Sequence, residues 1–469
     1  MYDILIIGSG LSSMSFLSGL SIKSRKVALI SPYNLKFKKN DLEKTISKYI
    51  KKNLPPRFNE KKNISNILNY FVKNKIKLND DVSVFGNLDD GGVSNYWGGS
   101  CEFLKENDIT FLNNSNKKDL INAFLSIYKK FNFSGKIEIP KNYRKYFSSK
   151  KIKINPIFKD MIKDKSNNKL KFFHNCIAQN YKTGKTFLPK NIISKKLKNI
   201  NKLNYFVYKI RKNKKGYAVY CENNYKKFII RTKKLVLGAG TISSTKLVCD
   251  MLKVNKSIVI DHNPMLFGLF ILRKKIKLEK FGPAKLSANI HLDNKKFSTV
   301  NFRSSNSIIK NKIFKKYNFL NNFFSKLIFK LFEKNMLFLN LYLDSYYGNL
   351  SFTLDKKKNV ILQTDNKKFK KIKNKLFLNF NILYNYLKNK KIIYPFVFKL
   401  IPKMGNDNHY TGTIPINGKD NKMSLKENCE LKGYKDFYVI DGSGIPRNSS
   451  KFPTPIIIAN SFRAGLKFK

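Results

Sequence analysis

The sequence predicts an α/β fold in which a parallel sheet, assembled from separate stretches of the chain, is accompanied by a second, α+β domain. Three observations predict it. Ile4 to Ile7 is an unbroken apolar run of the kind a parallel strand buried on both faces needs, and Gly8-Ser9-Gly10 follows at once. Leu11, Met14, Phe16, Leu17 and Leu20 then set a helical pattern, and Val27 to Ile30 closes a βαβ unit of about 30 residues. Much later, Leu235-Val236-Leu237 leads into Gly238-Ala239-Gly240 and a helical segment from Thr241 to Met251, so the strand, glycine turn and helix recur.

Between the two units, Tyr205 to Ile210, Tyr217 to Cys221 and Lys227 to Ile230 alternate apolar and polar residues across Lys, Asn and Gly turns. They predict an antiparallel meander that interrupts the parallel sheet. Residues 37–190 are Lys- and Asn-rich and carry no assignable pattern. From Leu266 to Lys403 strand-like and helix-like runs alternate without glycine punctuation, which sets the expected boundaries at 1–265, 266–403 and 404–469. Inside the middle stretch, Leu320, Phe323, Phe324, Leu327, Ile328, Leu331 and Phe332 recur at helical spacing, with Lys326, Lys330 and Lys334 on the polar side. Such a stripe predicts a core-facing helix, with a membrane-surface helix and weak peripheral membrane association as the alternative.

Composition removes several classes. With 42% hydrophobic and 14% aromatic residues the chain has enough apolar surface for a sizeable core, so global disorder is excluded. No apolar run reaches the ~18 residues of a transmembrane helix. Met1-Tyr2-Asp3-Ile4 has no basic region ahead of the first strand, so a cytoplasmic location is expected. The 93 Lys and Arg against 30 Asp and Glu give a net charge of +63, yet only nine of the 93 are Arg and the excess is dispersed. Sequence-reading nucleic-acid sites favour the bidentate Arg fork, and no such motif accompanies the charge. A solvated Lys surface without a specific nucleic-acid partner is expected, and the abundance of Lys, Asn, Ile, Phe and Tyr, all with A/T-rich codons, fits a base-composition origin. Cys101, Cys176, Cys221, Cys249 and Cys429 lie far apart, which predicts reduced thiols and no metal site.

Three motifs carry chemistry. Gly8-Ser9-Gly10-Leu11-Ser12-Ser13 is GxGxxS where a strand turns into a helix. Gly8 permits the tight turn, Gly10 lets backbone approach a pyrophosphate that the helix N-terminus attracts, and Ser13 is small enough for helix and strand to pack. A dinucleotide site is favoured, although Ser31 stands where an acidic ribose-binding residue is usual; its hydroxyl can still bond a ribose. Gly91-Gly92-Val93-Ser94-Asn95-Tyr96-Trp97-Gly98-Gly99 surrounds the only Trp with glycines that let backbone lie flat against a planar ligand. The third is C-terminal: His409-Tyr410-Thr411-Gly412-Thr413, then Ile440-Asp441-Gly442-Ser443-Gly444, then Phe452-Pro453-Thr454-Pro455 before a helix-like end.

Taken in this order, with the Leu235 to Thr245 segment and Asp261-His262-Asn263-Pro264, these motifs resemble the glucose-methanol-choline (GMC) oxidoreductases, flavoproteins that oxidise alcohols, including sugars. The resemblance leaves 265–400 uncovered. It implies a discontinuous, Rossmann-like FAD domain of the kind also seen in glutathione reductase, completed by 404–469, and a small alcohol or sugar-like substrate. It places Gly8, Gly10, Ser12 and Ser13 near the FAD pyrophosphate, Gly92, Ser94, Asn95 and Trp97 near the flavin, and Gly240 in the same binding region. Asp441 and Gly442 fall by the ribityl and pyrophosphate groups, and Pro453 and Thr454 at the end of the ring system. His409 falls on the family's active-site His. The second active-site position, seven residues before Ala459, is Phe452, which can neither donate nor accept a proton and shapes the pocket instead. Some members link FAD covalently through a His just before the Trp; here Tyr96 stands there, so FAD is expected to be noncovalent. His409 is then expected to act as the base without a partner, with Lys451 as the next candidate. His262 reads as structural, and His174 and His291 as ordinary surface or core residues. The electron acceptor has no signature in the sequence. Two rival readings stand beside this one: an FAD-dependent reductase of another substrate class, and a basic binding protein that keeps the flavoprotein scaffold.

Overall fold

Apolar continuity sets the first sheet. Tyr2–Ile7 and Val27–Ile30 pair in parallel with Ile4 opposite Val27 and Ile7 opposite Ile30, and the helix Leu11–Gly19 joins them. On its other side Tyr2–Ile7 pairs in parallel with Lys226–Leu237, which in turn pairs in parallel with Phe437–Val439. Asn201–Leu203 extends the sheet beyond Val27–Ile30. The meander Phe206–Asn213, Gly216–Asn223 and Lys226–Leu237 completes seven strands. The computed structural model describes residues 1–22, 25–32, 64–97, 99–102, 104, 108–130, 133–134, 156–164, 166, 168–174, 176–180, 200–223, 226–276, 286–293, 296–304, 322–446 and 450–468.

One element differs from the sequence expectation. Lys227 to Ile230 and Leu235 to Leu237 are a single 12-residue strand, not two. Its first half pairs antiparallel with the meander and is exposed, while its second half is buried between two parallel neighbours. A strand of this length spans about 40 Å, enough to serve both sets of partners. Thr232, between the two runs, is buried at the crossover and donates its hydroxyl to Lys234 O at 2.8 Å.

The second sheet is antiparallel and six-stranded, in the order Ile393–Leu400, Met265–Leu272, Met336–Tyr342, Lys296–Ser304, Leu286–Asp293 and Leu170–His174. The helix Asn366–Asn389 covers one face. Gly268 leaves the space that Phe380 fills, and Phe270 stacks on Phe380 with ring centroids 5.4 Å apart. Two smaller sheets join these, and one pairs Ile258–His262 with Gly348–Leu354 and Ile76–Leu78 with Val360–Gln363. Strand pairing therefore crosses the 265/266 boundary drawn from sequence, with Leu170–His174 and Ile76–Leu78 supplied by the stretch that carried no pattern. That stretch also contains the helices Ile64–Asn74, Asn114–Lys130 and Pro156–Lys163. Cys221, Cys249 and Cys429 are free, buried thiols, and burial pushes Cys221 and Cys249 up to about 12. The side chains of Cys101, Cys176 and His174 lie outside the described residues. His291 is exposed, on the strand Leu286–Asp293.

The apolar stripe is the clearest correction. The helix Phe323–Phe332 does not face the core: Phe323 and Phe324 are each 74% exposed and Leu331 65%, and only Phe329 is buried, beside Met336 with Leu269, Ile271 and Phe338 packed against them. Periodicity identified the helix but could not say which way its apolar side turns. Leu320 lies outside the described residues.

The helix Leu11–Gly19 packs on the C-terminal helix Thr454–Leu466 through close backbone approach. A Cβ on Gly465 would lie 2.1 Å from Phe16 O, and one on Gly19 2.6 Å from Phe462 O. Gly8 is as closely approached and also has a φ of +101°, with Gly238 O 2.3 Å from the place a Cβ would occupy. Gly433, at φ +78°, has open space there. Gly433→Ala should therefore cost only the left-handed strain, ~1 to 2 kcal/mol, whereas Gly8→Ala adds an overpacking cost and should lose at least about 3 kcal/mol in urea melts. Equal losses in the two variants would remove the close approach as the constraint at Gly8.

Candidate active site

The three parallel strands Tyr2–Ile7, Lys226–Leu237 and Phe437–Val439 end together, so Gly8, Gly238 to Gly240 and Asp441 emerge side by side on one wall of a cavity. Gly8, Gly10 and Ser12 line it with Ser31. Ser9, which sequence reasoning passed over, joins the motifs: its Oγ is 2.7 Å from Ser31 Oγ and accepts from Gly91 N at 3.0 Å. Ser94 Oγ accepts from Leu11 N at 3.2 Å, so the second glycine-rich segment is seated on the start of the first helix. That segment is a short 3-10 turn, Gly92–Tyr96, whose Gly92, Ser94 and Trp97 line the cavity.

Two expected residues do not line it. Ser13 is fully buried between helix and sheet, where its Oγ would collide with any Cβ on Gly238, so it has the packing role of the third motif position. Asn95 turns away, its amide donating to Asp90 O at 2.7 Å. The side chain of Tyr96, and Gly98, lie outside the described residues.

Asp441 caps the assembly. Its Oδ2 accepts from Gly240 N at 2.9 Å and Ser244 Oγ at 2.5 Å, and its Oδ1 from the N–H and hydroxyl of Ser443. Burial pushes the carboxyl up, against these hydrogen bonds that favour its charged form. Gly442 also lines the cavity, and Gly442 O accepts from Gly412 N at 3.1 Å, which laces the C-terminal turn to the His409 segment.

His409 lines the same cavity as these glycines, with Phe452, Pro453 and Thr454 beside it. Its ring packs edge-on against Phe452 at 4.9 Å between centroids and lies 5.4 Å from Tyr342, which itself meets Phe452 at 5.1 Å. Met265 and Phe267 pack behind, so the imidazole has an apolar collar on this side. Asp407 was missed, although it stands two residues before His409. Its buried carboxylate accepts from Asn263 N at 2.9 Å, lies 2.7 Å from His262 Nδ1 and 3.8 Å from His409 Nδ1, and accepts from His409 N at 3.2 Å. The expectation that His409 stands without a partner is thus corrected: a buried carboxylate faces it. Lys451 is not an alternative base, because it pairs with Asp108 Oδ2 at 2.5 Å and does not line the cavity. Tyr342 and Arg303, which also line the cavity, were missed for a different reason. They come from the six-stranded sheet, where no motif marks a position and only strand register brings it to the site.

The residues present fit a flavin dinucleotide. A Cβ on Gly240 would meet nothing within 4 Å and one on Gly10 nothing closer than 3.7 Å, so both positions keep backbone open to a ligand. Tyr70, pushed by burial up to about 12, and Tyr410, pushed higher, are neutral phenols in the wall.

No family model matches the chain, and no curated protein matches its sequence. Among solved structures it is similar to pyridoxine 4-oxidase from Mesorbium loti, with a TM-score of 0.64 and 11% identity over 100% of this chain and 99% of that one. The mixed α/β fold is therefore shared with that oxidase across its whole length.

Burial alone raises the Asp407 carboxyl, but His262, His409 and the Asn263 N–H outweigh it and hold the group below its usual value. A carboxylate depressed in the folded state contributes stability that is present above its unfolded pKa of ~3.9 and lost as pH falls through the folded value. Asp407→Asn should cost ~1.5 to 3 kcal/mol at pH 7. In urea melts the gap to wild type should hold down to about pH 5 and narrow below about pH 4; a gap that widens in acid would contradict the assignment.

Proposed function

We propose that the chain is an FAD-dependent oxidoreductase that oxidises a CH–OH group of a small molecule. The observation that carries this is the convergence of the glycine-bearing strand ends and His409 on one cavity, in a fold shared with an oxidase. In this reading the cofactor-binding part is discontinuous, drawn from 1–265 and 404–469, and 266–403 supplies the sheet over the substrate. Gly8, Gly10 and Ser12 would hold the pyrophosphate and Ser31 a ribose hydroxyl. Gly92, Ser94 and Trp97 would lie along the flavin, with Asp441, Gly442, Pro453 and Thr454 at the ribityl chain and ring edge. The chemistry FAD supplies when bound is the acceptance of a hydride from the carbinol carbon.

The protein's part is position and one proton. His409 takes the hydroxyl proton, and Asp407, 3.8 Å from its Nδ1, stabilises the positive charge that develops on the ring. Phe452 and Tyr342 hold the imidazole by packing and keep water from its flank. With Tyr96 in the linking position, FAD is held by contacts alone.

Acid precipitation should release the flavin into the supernatant; colour left on the pellet would mean a covalent link. Under anaerobic conditions, reduction of the wild-type flavin by an alcohol should slow at least ~10²-fold in His409→Ala while FAD content is unchanged. Unchanged stopped-flow reduction would make His409 structural. Bleaching by NAD(P)H and by no alcohol would instead favour the reductase reading.

A further inference from the structure

We propose that the substrate carries an anionic group, a carboxylate or phosphate, and that Arg303 binds it. The proposal rests on the active-site reading above and adds the substrate class. Of the 93 Lys and Arg in the chain, Arg303 is the only one among the described residues lining the cavity. Among the described residues the cavity thus holds no Lys but one of the nine arginines, the residue whose planar fork suits a carboxylate or phosphate.

Arg303 belongs to the strand Lys296–Ser304 opposite Phe338, and Thr299, four residues earlier, is opposite Tyr342. Residues four apart in a strand share a face, so Arg303 projects from the same side of the sheet as Thr299 and Tyr342, displaced by ~13 Å along the strand. The anion and the carbinol are then bound at different ends of the substrate.

Among the described residues the guanidinium has no partner to explain it. Its Nε is buried without a hydrogen bond, and no ion pair joins it to a described carboxylate. The carboxylates of the cavity are committed elsewhere: Asp407 to His262, Asp441 to Gly240, Ser244 and Ser443, and Asp89 to Asp90 N. Arg463 shows what a structural arginine looks like in this protein. Only 2% exposed, it donates to Asn116 Oδ1, Asn460 Oδ1 and Glu427 O. A guanidinium cannot discharge itself by losing a proton, and leaving it partly buried and unpaired is costly unless a ligand supplies the counter-charge.

The test uses the FAD-loaded protein and two matched pairs of alcohols: glucose with glucose 6-phosphate, and 1,4-butanediol with 4-hydroxybutyrate. At equal subsaturating concentration the anionic member should reduce the flavin at least ~10-fold faster, the discrimination a single charge-assisted contact gives. Arg303→Ala should erase that preference by raising KM with kcat little changed, keep its FAD and leave the neutral alcohols unaffected. Arg303→Lys should restore part of it. Equal rates for both members of each pair, or loss of FAD from Arg303→Ala, would overturn the proposal. If no alcohol reduces the flavin, the oxidation reading has failed and binding decides this one separately. Malonate or inorganic phosphate should still raise the Tm of wild type and not of Arg303→Ala, and an equal rise in the two would overturn it.

A second observation, independent of the cavity, concerns the helix Phe323–Phe332. We infer that it seats the protein on an anionic bilayer surface. At 3.6 residues per turn Phe323, Leu327, Leu331, Phe324, Ile328 and Phe332 spread over about half its circumference, all exposed, while Phe329 is the buried residue of the helix. Lys326 and Lys330 lie side by side along one edge of this arc, and Phe398 is exposed on the sheet face that Phe329 covers, opposite Leu269. An apolar arc edged by Lys on a chain of charge +63 is complementary to acyl chains beneath anionic headgroups. Full-length protein should sediment with phosphatidylcholine vesicles containing 30% phosphatidylglycerol and far less with phosphatidylcholine alone. Phe323→Ser combined with Leu331→Ser should weaken that binding at least ~10-fold while flavin reduction is unchanged. Binding unaffected by the substitutions would overturn the inference, as would micromolar dimerisation that they abolish, which would assign the face to a second copy.

Discussion

Everything at the site depends on how closely two backbone turns approach. Gly8 and Gly238 end adjacent parallel strands, and a side chain at either would occupy space already filled: Gly238 O at the first, Ser13 Oγ at the second. Because these turns meet without Cβ atoms, the helices Leu11–Gly19 and Thr241–Leu252 start side by side and Asp441 reaches Gly240 N. The terminal helix then closes on Leu11–Gly19 through Gly19 and Gly465, which fixes Pro453 and Thr454 at the cavity. Widening any of these contacts moves a wall of the site.

A second constraint links His409 to the six-stranded sheet. His409 is held by backbone pairing of Thr411 with Asp261 and by Asp407, whose carboxylate also holds His262 and Asn263. The same stretch, Ile258–His262, pairs with Gly348–Leu354 and runs directly into Met265–Leu272, the strand next to the one that carries Tyr342. The imidazole, its apolar collar and the sheet over the cavity are thus tied to one buried carboxylate. Asp407 shows why a buried charge is tolerable: each of its oxygens faces donors, which is the condition under which burial of charge does not unfold a protein. Arg303, on the sheet over the cavity, does not meet that condition among the described residues, and the contrast gives it its meaning.

The local chemistry was legible because it is local. A strand, a glycine turn and a helix are contiguous, so the GxGxxS segment, the recurrence at Gly238 to Gly240 and the C-terminal run could be read from spacing and residue type. The glycines mark positions where only a missing side chain allows the path. Ser9 lay inside one of those motifs and Asp407 two residues ahead of another, and both were passed over because neither is a motif position. Tyr342 and Arg303 had no such signal, since a residue on an antiparallel strand reaches a site through register with its neighbours, and register is a property of the whole sheet.

Sequence alone carried the parallel strand and turn units, the helices that follow the two glycine turns and the one at Phe323–Phe332, the spacing of the cysteines and the basic, Lys-dominated composition, because each follows from neighbouring residues or from composition. Folding settled that Lys226–Leu237 serves both parallel and antiparallel partners within one sheet, that Asp407 faces His409, that Phe323–Phe332 turns its apolar side outward and that Arg303 lines the cavity. Those outcomes depend on which distant segments pack together, and packing energy belongs to surfaces that form only when the chain has folded.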